Sequence, residues 1–134
     1  MDFKAVIPIL GFDDLEDVVL EPIDEIFFRL TSKHGDTPAF TLIQPAALRN
    51  DYVFDLPKSA VEKLRLENEE DAMVLNIMIV DTPLENSHVN FIAPLVFNQK
   101  KGVMGQVVLD SIKYPDFGLA DPLKKFLSHA ESQS

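Results

Sequence analysis

The feature that most constrains this chain is the run Met73-Val74-Leu75-Asn76-Ile77-Met78-Ile79-Val80, in which Asn76 is the one polar residue. It is far shorter than the roughly 18 apolar residues of a membrane span, and its β-branched content favours an extended backbone. The run therefore predicts a strand over Ala72–Val80, central in its sheet because it is too apolar for an exposed element. Shorter apolar runs at Phe3–Leu10, Val18–Leu20, Ile26–Leu30 and Ala39–Ile43, separated by turn residues, predict the first strands. From His88 to Phe97, the odd positions Val89, Phe91, Ala93, Leu95 and Phe97 fall on one side of an extended chain, and His88 and Asn90 on the other. Pro94 cannot donate to a ladder, so it places this strand at an edge, or marks a bulge or a break between two shorter strands. Asn98-Gln99-Lys100-Lys101-Gly102 predicts a hairpin loop into a final strand around Gly105–Leu109, with Gln106 among apolar neighbours.

Two helices are expected. Pro57 suits a first helical turn, and Ala60, Val61 and Leu64 repeat with helical spacing, predicting a helix over Pro57–Leu66. Near the end, Asp121 suits a cap and Pro122 a first position, with Leu123, Phe126, Leu127 and Ala130 forming one stripe. Ser132-Gln133-Ser134 reads as a polar end that frays. The expected fold class is mainly β: a compact antiparallel β-barrel or sandwich-like single domain over residues 1–134, with one or two short helices. Residues 119–134 form its C-terminal helix and tail.

The 134 residues suit one domain of roughly 100–200 residues, and a 46% hydrophobic content suffices for a core. The formal charge of −10 repels phosphate backbones and anionic headgroups, so neither direct nucleic-acid binding nor membrane binding is expected. The absence of Cys excludes disulfides, thiolate metal sites and thiol nucleophiles. Met1-Asp2-Phe3-Lys4 lacks the basic start of a signal peptide, and a cytoplasmic location is the expectation.

Signals for catalysis are sparse. His34, His88 and His129 are far apart without metal-ligand spacing, and Gly11, Gly35, Gly102, Gly105 and Gly118 form no phosphate loop. Neither a metal nor another cofactor is expected. Asp51 with Asp55 is one candidate acid–base pair, but among 22 acidic residues most carboxylates are solvated faces or caps. The expectation is a protein without catalytic activity. The acids are also unevenly spread: Asp2, Asp13, Asp14, Glu16, Asp17, Glu21, Asp24 and Glu25 stand against Lys4 alone in residues 1–25, and Glu67, Glu69, Glu70 and Asp71 follow the first helix. Such runs are usually solubilising loops; the sharper reading is an electrostatic dock for a basic protein.

Several ordered segments resemble the flagellar assembly factor FliW family. Pro8-Ile9-Leu10-Gly11-Phe12-Asp13-Asp14-Leu15 resembles its glycine-phenylalanine-acidic signature. Phe27-Phe28-Arg29-Leu30-Thr31-Ser32, Ala39-Phe40-Thr41-Leu42-Ile43-Gln44-Pro45 and Asp51-Tyr52-Val53-Phe54-Asp55-Leu56 resemble the following blocks. The most specific is Val89-Asn90-Phe91-Ile92-Ala93-Pro94-Leu95-Val96-Phe97-Asn98, followed by Gly105-Gln106-Val107-Val108-Leu109 and Tyr114-Pro115. The resemblance runs from about residue 5 to residue 117. The resemblance implies a largely β, non-catalytic cytoplasmic protein with two protein partners, flagellin and the translational regulator CsrA. It implies that accumulated flagellin occupies the protein and frees CsrA to repress flagellin translation, whereas export of flagellin reverses this.

On that reading Asp13, Asp14, Glu16 and Asp17, with Glu69 and Glu70, face the RNA-binding and therefore basic CsrA. Phe91, Pro94, Gln106 and Tyr114 form a flagellin-facing groove, with an exposed strand edge at Pro94 suited to segments disordered before assembly. Because ten residues precede Gly11, the family's leading strand is expected to be shortened and its sheet to lose or rearrange an edge. Two other classes stay in view: a small carboxylate-dependent hydrolase, marked by buried carboxylates in a deep polar pocket, and a passive acidic structural subunit, marked by self-assembly.

Overall fold

The computed structural model describes residues 1–35 and 37–127. The strands are β1 (Asp2–Ile7), β2 (Asp17–Pro22), β3 (Phe27–Ser32), β4 (Ala39–Ile43), β5 (Ala72–Ile79), β6 (His88–Val89), β7 (Leu95–Asn98), β8 (Val103–Gln106) and β9 (Asp121–Pro122). The order β4-β3-β2-β1-β8-β7-β5 closes on itself through a β4–β5 pairing, giving a seven-stranded barrel; β6 and β9 extend the sheet beyond β5. Every pairing is antiparallel except β1 with β8. A parallel pair needs a long crossover, and here the rest of the barrel supplies it. Gly105 makes the close approach possible: a Cβ there would lie 2.5 Å from the Cβ of Ile7.

The strand patterns follow from two cores, one on each side of the barrel wall. Phe3, Val18, Leu20, Leu30, Leu42, Leu75, Leu95, Phe97 and Met104 fill the interior, where the Phe3 and Phe97 rings meet edge-on at 5.0 Å. Outside the wall, Ile43, Met78, Val89, Val96 and Val107 pack beneath the helix α1 (Lys58–Lys63) and the loops. Leu95 and Phe97 thus point inward and Val96 outward, which is why the strand is apolar on both faces. β5 behaves likewise over its first seven residues. Ile79 and Val80, at the far end of the apolar run, lie past this cover at 67% and 54% exposure.

The helix α1 starts after Pro57 and buries Ala60; Leu64, at its C-cap, is also buried. Its C-terminal carbonyls are not left to water. The buried Asn98 side chain donates to Leu64 O at 2.9 Å and Arg65 O at 3.1 Å, tying the helix to the β7–β8 hairpin. That hairpin turns through Gly102, whose φ of 66° suits a residue without a side chain.

The expected break between two shorter strands near Pro94 is present, and four other expectations are corrected. The segment His88–Phe97 is two strands, β6 and β7, separated at residues 90–94, where Asn90 Oδ1 accepts the Ala93 N–H at 3.0 Å. Pro94 is therefore at a break, and the exposed edge expected there is absent. It is buried, its carbonyl accepts the Val107 N–H at 3.0 Å, and β7 lies between β5 and β8. The strand after the hairpin is Val103–Gln106, earlier than the Gly105–Leu109 expected and not the last of the chain. Asp121 and Pro122 do not open a helix: they pair with Val89 and His88 as β9, at the sheet edge where a proline costs no ladder donor. The Asp121 carboxylate accepts the Gly118 N–H at 2.9 Å, and a helical turn follows at residues 124–127. Ala130, His129 and Ser132–Ser134 lie outside the described residues. Finally, the leading strand is not lost: β1 lies inside the barrel between β2 and β8.

Candidate functional site

The most densely built surface region is where residues 49–56 cross the outer core. Arg49 carries it. Its Nε lies 2.6 Å from Asp51 Oδ1 and one terminal nitrogen 2.9 Å from Oδ2, a two-pronged pairing that orients the guanidinium. The guanidinium sits 4.9 Å from the ring centres of both Phe91 and Phe117, and 5.4 Å from that of Phe126. These rings come from three separate segments, so one cation joins residues 91, 117 and 126 to the 49–51 turn. The hydrogen bond to Asp51 raises the Arg49 pKa, and the same bond lowers that of the carboxylate.

Beside it, Tyr52 is pressed against Phe54, Phe91 and Phe117, with ring centres 5.0, 5.2 and 4.7 Å away. Its hydroxyl donates to Phe91 O and accepts from Asn76 Nδ2 at 2.9 Å. Burial drives the Tyr52 pKa upward, so the phenol stays protonated and acts as a fixed strut. Asn76, the polar residue of the apolar run, also donates to Asn90 O at 2.9 Å, so it secures the break before β7.

A groove of about 560 Å³ opens between this layer and α1. Phe54, Leu56, Val61, Leu66, Ala72 and Val74 give it apolar walls, and Asp55, Glu67 and Glu69 add exposed carboxylates. Val53, also lining it, is 77% exposed. At its far end Asp71 accepts the backbone N–H of Asn68 at 3.0 Å and lies 2.8 Å from Lys100 Nζ, which fixes the turn between α1 and β5. The Lys100 contact, with that backbone bond, holds the Asp71 carboxyl below its ordinary value of 3.8. A depressed carboxyl stabilises the fold above its unfolded-state pKa and loses that contribution as pH falls through the folded value. Thermal melts should therefore show Asp71→Asn less stable than the parent at pH 7, with the gap closing as pH falls below the ordinary carboxylate range. A gap unchanged across that range would remove the ion pair as its cause.

The sequence-predicted residues are distributed as follows. Asp13, Asp14 and Glu16 are exposed in the β1–β2 loop, with Asp17 half-buried at its end, 3.5 Å from His34 Nε2. Glu69 and Glu70 are exposed in the turn before β5. The two groups are not brought together. The β1–β2 loop follows Ile7, which pairs with Gly105 near the end of β8, whereas the Glu69–Asp71 turn leads into Ala72, which pairs with Asn98 at the hairpin end.

Phe91, Pro94 and Gln106 are buried, so their side chains line no open groove. Gln106 accepts the Leu10 N–H at 2.7 Å and donates to Ala93 O at 3.1 Å, joining the β1–β2 loop to the 90–94 break. Tyr114 is half-buried, stacks on Phe117 at 5.5 Å, and its hydroxyl accepts the Asp55 N–H at 2.8 Å. Phe91 and Tyr114 thus meet the Arg49 layer, directly and through Phe117 respectively. The carboxylates of Asp51 and Asp55 form no acid–base pair: the first is held by Arg49, and the second is exposed, 3.4 Å from Lys113 Nζ. Sequence reasoning missed Arg49. Its only local signal is the Arg49–Asp51 spacing, because its ring partners are remote in the chain.

A family model described as FliW protein matches residues 2–122, nearly the whole of the described chain. The chain belongs to the FliW family. It is 44% identical over 128 residues to flagellar assembly factor FliW 2 of Wolinella succinogenes, covering 96% of this chain and 93% of that one. It is 39% identical to the flagellar assembly factor FliW of Sulfurimonas denitrificans, covering 95% and 98% respectively. A crystal structure of the flagellar assembly factor FliW superposes with a TM-score of 0.84 at 26% identity, over 91% of this chain and 84% of that one. The FliW-like blocks of the sequence have structural duties here. Val89–Asn98 forms the broken β6–β7 passage, Asp51–Leu56 one wall of the groove, and Gly105-Gln106 the close contact with β1 and the 90–94 break.

Proposed function

We propose that this flagellar assembly factor acts in the cytoplasm, without catalytic activity, by binding flagellin and the translational regulator CsrA. Bound to CsrA it antagonises repression of flagellin translation; bound to flagellin it releases CsrA, so synthesis follows export. The observation that carries this reading is the exposed acidic loop Asp13, Asp14 and Glu16 on a chain of net charge −10. An RNA-binding partner is basic where it holds phosphate, and such a field speeds its encounter while repelling the RNA that competes for it.

Asp13, Asp14, Glu16 and Asp17 form the first CsrA-facing element, and Glu69 and Glu70 a second in the turn before β5. In flagellin binding, Tyr114 offers a partly exposed ring and Phe91, Pro94 and Gln106 hold the surface around it in shape. Reversing Asp13 and Asp14 to Lys should slow association with CsrA by about tenfold at low salt and flatten its salt dependence, read by stopped-flow. Unchanged kinetics across the salt series would remove the loop from the interface. Turnover of a small molecule by the purified protein would instead favour the hydrolase reading.

A further inference from the structure

The β1–β2 loop carries, beside its carboxylates, an apolar tip that the barrel does not use. Leu10 is 61% exposed and Phe12 39%, whereas the preceding Ile9 is buried. A single exposed leucine is ordinary on a protein surface, but here the backbone is built to hold one out. The Phe12 N–H donates to Ile9 O at 2.8 Å, closing a tight turn through Gly11 at φ 85°, a conformation that a side chain would strain. The Leu10 N–H donates to Oε1 of the buried Gln106 at 2.7 Å, which anchors the turn to the barrel wall. The Phe12 ring stands edge-on against Phe40 with ring centres 5.0 Å apart, and the Leu15 N–H donates to Phe12 O at 3.1 Å. These contacts fix the tip, so its two apolar side chains are presented in a set geometry before any partner arrives.

We infer that Leu10 and Phe12 are the apolar anchor of the acidic interface, seating in an apolar recess ringed by basic side chains on CsrA. The inference rests on the CsrA reading above and names the contact that completes it. Charge complementarity selects this occupant. Asp13, Asp14, Glu16 and Asp17 follow the tip directly, and residues 5–28 contain no Lys, Arg or His to offset them. The nearest cationic candidate, His34, meets only Asp17 at the far end of the loop. An apolar surface set in such a field favours a partner that is basic around its own apolar contact and repels an acidic one. The two parts divide the work. The carboxylates act at a distance and set how fast the partner arrives, whereas Leu10 and Phe12 act only in contact and set how long it stays.

The test follows association and dissociation of purified CsrA on the full chain. Leu10→Ser should raise the dissociation rate about tenfold and leave the association rate within about twofold of the parent. That ratio should hold from low to high salt, since a lost apolar contact is not screened. Leu10→Met, which keeps the apolar volume, should dissociate within about threefold of the parent. Because Leu10 is exposed and the turn keeps its backbone bonds, Leu10→Ser should melt within about 2 °C of the parent. A dissociation rate for Leu10→Ser within about twofold of the parent would overturn the inference, while slowed association on reversing Asp13 and Asp14 would leave the charge-based reading in place. An effect that vanishes at high salt, a large fall in the melting temperature, or a loss of flagellin binding with CsrA binding intact would overturn it equally. Failure of CsrA to bind the parent chain would remove the reading and the inference together.

Discussion

Phe91→Ala should lower the unfolding free energy by about 3–5 kcal/mol, a fall in Tm of roughly 10–20 °C for a chain of this length. Phe91 is fully buried and sits where the second core is most crosslinked. Its ring meets Tyr52 and Phe126 edge-on at 5.2 and 5.3 Å and lies under the Arg49 guanidinium. Its backbone is engaged on both sides, the N–H donating to Gly118 O at 2.9 Å and the carbonyl accepting from Tyr52. Truncation opens a cavity among groups fixed from four segments, so the site has little freedom to collapse. Phe91→Leu keeps most of the volume and should cost under about 1.5 kcal/mol, and Val53→Ala, on an exposed wall, within about 0.5 kcal/mol. Urea denaturation of the three variants checks the ranking. A loss below about 1 kcal/mol for Phe91→Ala would mean that the aromatic layer is not packed as described.

That layer also marks the limit of what is legible in the sequence. β4 begins and ends where its apolar run does, and β5 is central, because burial on both faces of a barrel wall writes itself as an unbroken apolar run. The parallel contact of β1 with β8 is invisible locally, since it joins residues about a hundred positions apart in sequence through barrel closure. The Asp121-Pro122 pair carries a proper helix-start signal, yet strand pairing with His88 and Val89 overrides it. Pro94 reads equally well as an edge or a break, and the deciding fact is tertiary: β8 covers β7 on the side the proline would have left open. Gln106 is legible only as a polar residue among apolar ones. Its two partners, Leu10 and Ala93, come from segments with no sequence relation to it. The Arg49 layer likewise arises only once remote segments meet.

The second large effect concerns occupancy. A standard interface takes about 800 Å² from each partner, and the accessible surface here is 8022 Å², so two partners would fit side by side on area alone. The mutual exclusion proposed above would therefore come from overlapping footprints or from a free-energy coupling between them. On the proposed reading, linkage makes the antagonism reciprocal: flagellin would weaken CsrA binding by the factor by which CsrA would weaken flagellin binding. The direct measurement is competition on the purified protein. CsrA is bound first, flagellin is titrated in at concentrations on the order of micromolar, and the order is then reversed. The account predicts that each displaces the other nearly completely, with no species containing all three; a stable ternary complex, or failure of either protein to bind, would contradict it.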